Sequence, residues 1–286
     1  MSSRKAYILN KVQNPKLLKL VYKSIRNGNQ EKEELVSDTG LEDDRQELLD
    51  NALKGLQLLR MVEKNEFKFE VNPAEQFLST GWNIEFTLTL LHRVAQEAKE
   101  SDWGRQSVVL LNYEYLLKED IQYFKSSDRE LIENLDQWHK NIGYQPLNSR
   151  GSRMELNKVK FSHWTNLAEF LGLLHKVRGS EYTLAPDLSL LKTAITQSID
   201  QAGSRDGIQL NTFVEWINDN LIRIPLTAEK NFPKPISRSL YALAKKGQVE
   251  LVKSGDAPTV ELTETQPPIK SHPNIAKDAN FIRTIG

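Results

Sequence analysis

The chain has 286 residues, enough for roughly two domains of ordinary size or three small ones, with 39% hydrophobic and 27% charged residues. That balance belongs to a soluble, folded protein, and the absence of cysteine excludes disulfides, thiolate zinc sites, iron–sulfur ligation and cysteine catalysis together. Net charge is zero, but the charges are segregated: residues 1–27 hold seven Lys or Arg and no acid, and residues 28–50 hold nine acids against Lys32 and Arg45. Residues 150–178 and 226–255 each carry six bases and two acids. The longest apolar runs fall far short of about 18 residues, and the start MSSRKAYILNKVQNPKLLKL has no signal-peptide core, so a cytoplasmic protein without a membrane span is expected.

In chain order, NPKLLKLVYKSIRNG reads as a helix with Pro15 in its first turn, an apolar face of Leu17, Leu18, Val21, Tyr22 and Ile25, and Gly28 at its end. An acidic helix over Gln30–Ser37 follows. A third, from about Glu42, turns Leu48, Leu49, Ala52, Leu53, Leu56 and Leu59 inward. The alternation of Val62, Phe67, Phe69 and Val71 then predicts a hairpin. Trp82–Ile142 reads as helices throughout, with one stripe of Ile84, Leu88, Leu91, Ala95 and Ala98 and a nearly all-apolar run Val109–Phe124. Gly143–Ser152 is linker-like. FSHWTNLAEFLGLLHKVRGSEYTLAP predicts a helix capped by Ser162 and a hairpin turning at Gly179-Ser180. Helices over Asp187–Ala202 and Asn211–Leu221 flank GIQL, a short strand. A further helix ends at Lys246-Gly247, and strands Val249–Val252 and Thr259–Leu262 close the pattern. The remainder, with three prolines and little periodicity, reads as an extended tail.

The switch from leucine-spaced helix to hairpin thus recurs in LLRMVEKNEFKFEV, in LLHKVRGSEYTLAP and after ISRSLYALAKKG. These stretches resemble the winged-helix superfamily, a three-helix helix-turn-helix core closed by a hairpin wing, over Asn14–Asn72, Leu156–Pro186 and Leu188–Thr263. The expected fold is mainly α with small β-hairpin wings, as tandem winged-helix units joined by a central helical bundle. The corresponding parts are an N-terminal unit over 1–75, a central region over 76–145, a second unit over 146–186 that recruits central helices, a third unit over 187–263 and a tail over 264–286.

The resemblance implies binding of double-stranded DNA, with the third helix of a unit in the major groove and bases on wing and flanks holding phosphate. The first unit opens its third helix with EDDRQELLD, which aims carboxylates at phosphate, so this acidic unit is expected to dock proteins. In the third unit the candidate DNA contacts are Lys230, Lys234, Arg238, Ser239, Lys245, Lys246 and Lys253. Those of the second are Lys158, Lys160, His163, Asn166, Lys176 and Arg178. Lys245 and Lys246 also suit a helix C-terminus by its dipole.

Catalytic signals are thin. The five histidines lack metal-ligand spacing, no glycine-rich phosphate loop or Gly-x-Ser-x-Gly occurs, and the carboxylate pattern of Asp50 with Glu66–Lys68 is explained by strand alternation. Most of the five tryptophans fit apolar stripes, with Trp103 the one expected at the surface. The reading is therefore a non-enzymatic DNA-binding adaptor without cofactor or metal, an accessory subunit of a DNA-handling complex such as bacterial DNA modification or antiviral defence. The alternatives are a protein-interaction scaffold that has lost DNA, and a transcriptional regulator.

Overall fold

A computed structural model describes residues 7–42, 45–72, 82–100, 104–148, 150–256, 258–263, 272–276 and 279–285. The predicted exposure of Trp103 lies outside the described residues; the third helix, expected from about Glu42, runs from Gln46. Among the described residues the chain is helical with small β-sheets, and it divides into two compact units. One comprises Met1–Gln76, Thr89–Val109 and Ser126–Leu171, the other Phe77–Leu88, Leu110–Lys125 and Gly172–Gly286.

In the first unit, α1 (Pro15–Arg26), α2 (Lys32–Thr39) and α3 (Gln46–Leu58) form a three-helix core followed by strands β1 (Val62–Asn65) and β2 (Lys68–Val71). Spacing of three and four buries Leu18, Val21, Leu35, Leu49, Leu53 and Leu56. The backbone N–H groups of Gln30 and Glu31 both donate to the Glu34 carboxylate, at 2.8 and 3.0 Å, and hold it below the usual carboxylate range. Gly40, at φ +65°, ends α2 in the left-handed conformation. The hairpin registers Val62 opposite Val71 and Lys64 opposite Phe69. The turn falls at Glu66-Phe67, so Phe67, expected in the strand alternation, lies in the turn and is 82% exposed.

The same unit contains α6 (Arg129–Asn141) and α7 (Lys158–Phe170). The helix α7 starts four residues before the Ser162 cap read from the sequence. Asn157 is the cap instead, its side chain accepting from the Lys160 N–H at 3.0 Å. Trp164 is fully buried, and its indole N–H donates to the Val109 carbonyl at 3.1 Å. Asp136, on α6, accepts both terminal nitrogens of Arg153 at 2.9 and 2.7 Å and the Leu156 N–H at 2.8 Å.

The long helix α4 (Trp82–Glu100) precedes α5 (Val108–Lys118). The expected helical run to Phe124 stops at Lys118. Tyr123–Lys125 is instead strand β3, which pairs with β5 (Glu181–Leu184), and β5 pairs with β4 (Leu174–Arg178), giving the order β3-β5-β4 in the second unit. Asp120, at φ +51°, turns the chain out of the helix, and β-forming Tyr123 and Phe124 find a strand partner that the local sequence does not announce.

The second unit continues with α8 (Leu188–Gln201), β6 (Ile208–Gln209), α9 (Leu210–Asn220), β7 (Asn231–Phe232), α10 (Lys234–Lys245), β8 (Val249–Val252), β9 (Glu261–Leu262) and β10 (Phe281–Thr284). Here the sequence reading is corrected twice. The partner of β8 is β10 rather than residues 259–262, and residues 281–284 are a strand rather than part of an extended tail; the sheet order is β6-β10-β8. Glu261 and Leu262 pair in parallel with Asn231 and Phe232.

The physical reason is buried pairing that only β10 completes. Ile282 is fully buried opposite Leu251, and Asn280, 1% exposed, exchanges two side-chain hydrogen bonds with the Ser254 backbone at 2.7 and 3.0 Å. Residues 260–263 are held elsewhere: the Thr263 N–H donates to Ser237 Oγ at 3.0 Å, and the Thr263 hydroxyl donates to the Phe232 carbonyl at 2.5 Å.

Candidate nucleic-acid interface

The candidate surface is built on α10. Its sequence from Lys234 to Lys246 contains no acid, and its apolar and small positions Pro235, Ile236, Ser237, Ser239, Leu240, Leu243 and Ala244 are buried. Helical periodicity leaves one narrow stripe outward: Arg238, Lys245 and Lys246 are exposed, with Tyr241 and Ala242 half-buried between them. At 1.5 Å per residue, Arg238 and Lys246 stand about 12 Å apart along the axis.

A groove of about 410 Å³ follows this stripe, lined by His175 of β4, Pro186 and Asp187 ahead of α8, and Arg238, Ala242 and Lys246. Burial works to raise the Asp187 carboxyl, but hydrogen bonds from the Ser189 hydroxyl and N–H, with His175 nearby, hold it below the usual range. Its charge is thereby spent largely on capping α8, and the rim of the groove is cationic.

The structure treats the other sequence-predicted residues unequally. Lys230 and Lys253 are exposed, the first in the turn before β7 and the second just after β8. Lys234, at the start of α10, pairs with Asp120. Ser239 turns inward: it is 5% exposed and donates its hydroxyl to the Pro186 carbonyl at 3.3 Å. One residue beyond Arg238 on a helix is a rotation of about 100°, which carries Ser239 from the outward stripe to the core.

On β4, Lys176 and Arg178 are exposed. Arg178 is committed locally, its Nε donating to Glu181 at 2.7 Å. Bonded first by the Tyr123 hydroxyl and then by Arg178, the Glu181 carboxyl is pulled down to about 2.

In the first unit, α7 uses two of its four predicted contacts internally. His163 meets the Leu9 carbonyl through Nδ1 at 2.6 Å, and a carbonyl only accepts, so Nδ1 carries the proton. Lys160 is half-buried, its amine donating to the Glu155 carbonyl at 2.5 Å, and burial lowers its pKa. Asn166 is half-buried and Lys158 exposed. On α3 the outward residues are Glu47, Leu48 and Asp50, with Asp50 bonded to Lys32 at 2.8 Å. Glu66 sits in the hairpin turn, and among the described residues no three His, Asp or Glu gather as a metal site.

No protein-family model, curated protein or solved structure matches the chain.

Sequence reasoning missed His175 and Asp120. His175 neighbours Lys176 on a strand whose last four residues are all exposed, a signal available in HKVR. Asp120 offered none, because its partner lies 114 residues away.

Proposed function

We propose that this chain is a non-enzymatic DNA-binding adaptor whose region 187–285 works as a winged-helix unit and holds double-stranded DNA with the outward stripe of α10. The observation that carries the reading is the stripe itself: Arg238, Lys245 and Lys246 exposed on a helix without a single acid. Such a surface meets the requirement that cations face phosphate while the helix body stays packed. The order β6-β10-β8 around α8, α9 and α10 supports the winged-helix assignment, since a short strand between the first two helices joins the hairpin-like pair after the third. Along the chain, α5-β3-α6-α7-β4-β5 follows the same succession of a helix, a short strand, two helices and two strands.

The three third helices differ in what they present. Outward positions of α3 are acidic or apolar, and α7 spends His163 and Lys160 within its own unit, which leaves α10 as the DNA contact. The acidic first unit then serves partner proteins, and the role is that of an accessory subunit in a DNA-handling assembly of the cytoplasm, with defence or modification complexes as the model. Among the described residues no helix is long and apolar enough to cross a membrane.

The test is duplex binding against salt. Neutralising Arg238, Lys245 and Lys246 together removes up to three phosphate contacts and flattens the slope of log affinity on log salt by about 2.7, at ~0.9 per contact. Near 0.1 M salt each contact is worth a factor of about 8. Unchanged affinity removes α10 as the reader; no duplex binding by the native chain at low salt leaves the protein-scaffold reading standing instead.

A further inference from the structure

Lys234 opens α10 in line with Arg238, one turn before it, yet its amine is taken by Asp120. Resting on the DNA-binding reading above, we propose that Asp120 is a built-in competitor for phosphate: it holds Lys234 away from DNA and sets the affinity of the α10 surface below what its cations would give.

Three observations converge on Asp120. Both carboxylate oxygens are engaged, Oδ2 by Lys234 and Oδ1 by the Gln122 side-chain amide at 3.0 Å, so the group is oriented rather than free to swing. Its backbone sits at φ +51°, a left-handed conformation uncommon for any residue but glycine, in the turn that closes α5. That turn is fixed by the Asp120 and Ile121 N–H groups donating to the Leu117 and Leu116 carbonyls at 3.3 and 2.9 Å. The loop therefore delivers a carboxylate to the first residue of a helix 114 positions later in the chain.

The pair is also accessible. The Lys234 and Asp120 side chains are 35% and 44% exposed, so solvent and a phosphate group can both reach it. An ion pair at that exposure is weak, worth at most a modest factor, and an approaching polyanion competes with Asp120 on similar terms. A carboxylate and a phosphate oxygen make the same charge-assisted bond to a lysine, so one displaces the other without rebuilding the site. Removing the carboxylate converts Lys234 from an internal partner to a further phosphate contact.

The test uses the full chain and a random-sequence DNA duplex, titrated between 50 and 200 mM salt. Asp120→Asn is expected to raise affinity by up to about fivefold near 0.1 M salt and to steepen the salt slope by about 0.9, while Lys234→Gln in the native background changes affinity by less than about twofold. Adding Asp120→Asn to Lys234→Gln should then gain nothing. Asp120→Gly, which suits the positive φ, is a second variant expected to match Asp120→Asn. Native affinity in both Asp120 variants overturns the proposal, as does an equal gain with and without Lys234, which marks general loss of negative charge. If no variant binds duplex at 50 mM salt, the DNA reading and the competitor fall together; binding indifferent to Asp120 removes the competitor alone.

Discussion

The pairing of β10 with β6 and β8 predicts a strong effect at Gly207. This residue sits at φ +134°, in a region open to little but glycine. A Cβ placed there lies 2.4 Å from the Ile282 carbonyl oxygen, 2.5 Å from the Phe281 ring and 2.8 Å from the Arg283 Cβ. The first of these is backbone in a strand paired on both sides and cannot swing aside. Backbone strain of about 1–3 kcal/mol and overpacking of about 1–3 kcal/mol add to a destabilisation of about 2–6 kcal/mol for Gly207→Ala. Hydrogen exchange of the β8 amides under native conditions with added urea reads this sheet directly. Were residues 281–284 not paired beside β6, no strand would crowd Gly207, and only the backbone strain of about 1–3 kcal/mol would remain. A cost of about 1 kcal/mol or less refutes the pairing.

Two further outcomes concern the first unit. His139 is 2% exposed, and burial pushes its ring down to about 3, so it is neutral when folded. The unfolded chain therefore binds a proton from about pH 6.5 downward that the folded chain refuses, and stability falls by up to about 1.4 kcal/mol per pH unit until pH nears 3. Burial works to raise the Asp136 carboxyl, but Arg153 and the Leu156 N–H hold it below its ordinary value, so its contribution is present above about pH 4 and lost as pH falls below that. The acid limb of a stability–pH curve should start near pH 6.5 and steepen below 4; His139→Gln removes the upper part, and a curve flat from 7 to 4 in the native chain refutes the assignment. At the start of α6, Asp128→Ala deletes the acceptor for the Leu131 N–H at 3.1 Å and should cost about 1 kcal/mol in thermal or urea unfolding.

Much of the helical architecture was legible because it is local. The spacing of Leu17, Leu18, Val21, Tyr22 and Ile25 gives α1, Pro15 marks its first turn, and α8, α9 and α10 fall within a few residues of their expected bounds. The hairpins at β1–β2 and at Gly179-Ser180 follow from alternation around a turn. Strand β3 was hidden because its partner β5 lies far along the chain, and the inward turn of Ser239 was hidden because helix phase was not resolved to a single residue. For the candidate surface, Arg238, Lys245, Lys246, Lys253 and Lys176 lie exposed as their sequence context suggests. Lys160, His163 and Lys234 are cations or donors whose partners come from distant chain.

By itself the sequence determined most of the helices, two of the hairpins and where cations concentrate, because periodicity, caps and turn residues act over a few positions. The tertiary structure alone decided that β8 pairs with Phe281–Thr284 and that Asp120 takes Lys234. Alternation in residues 259–262 and 281–284 is compatible with either partner, and the choice is made by which strand buries Ile282 and satisfies Asn280, terms that exist only once distant segments meet.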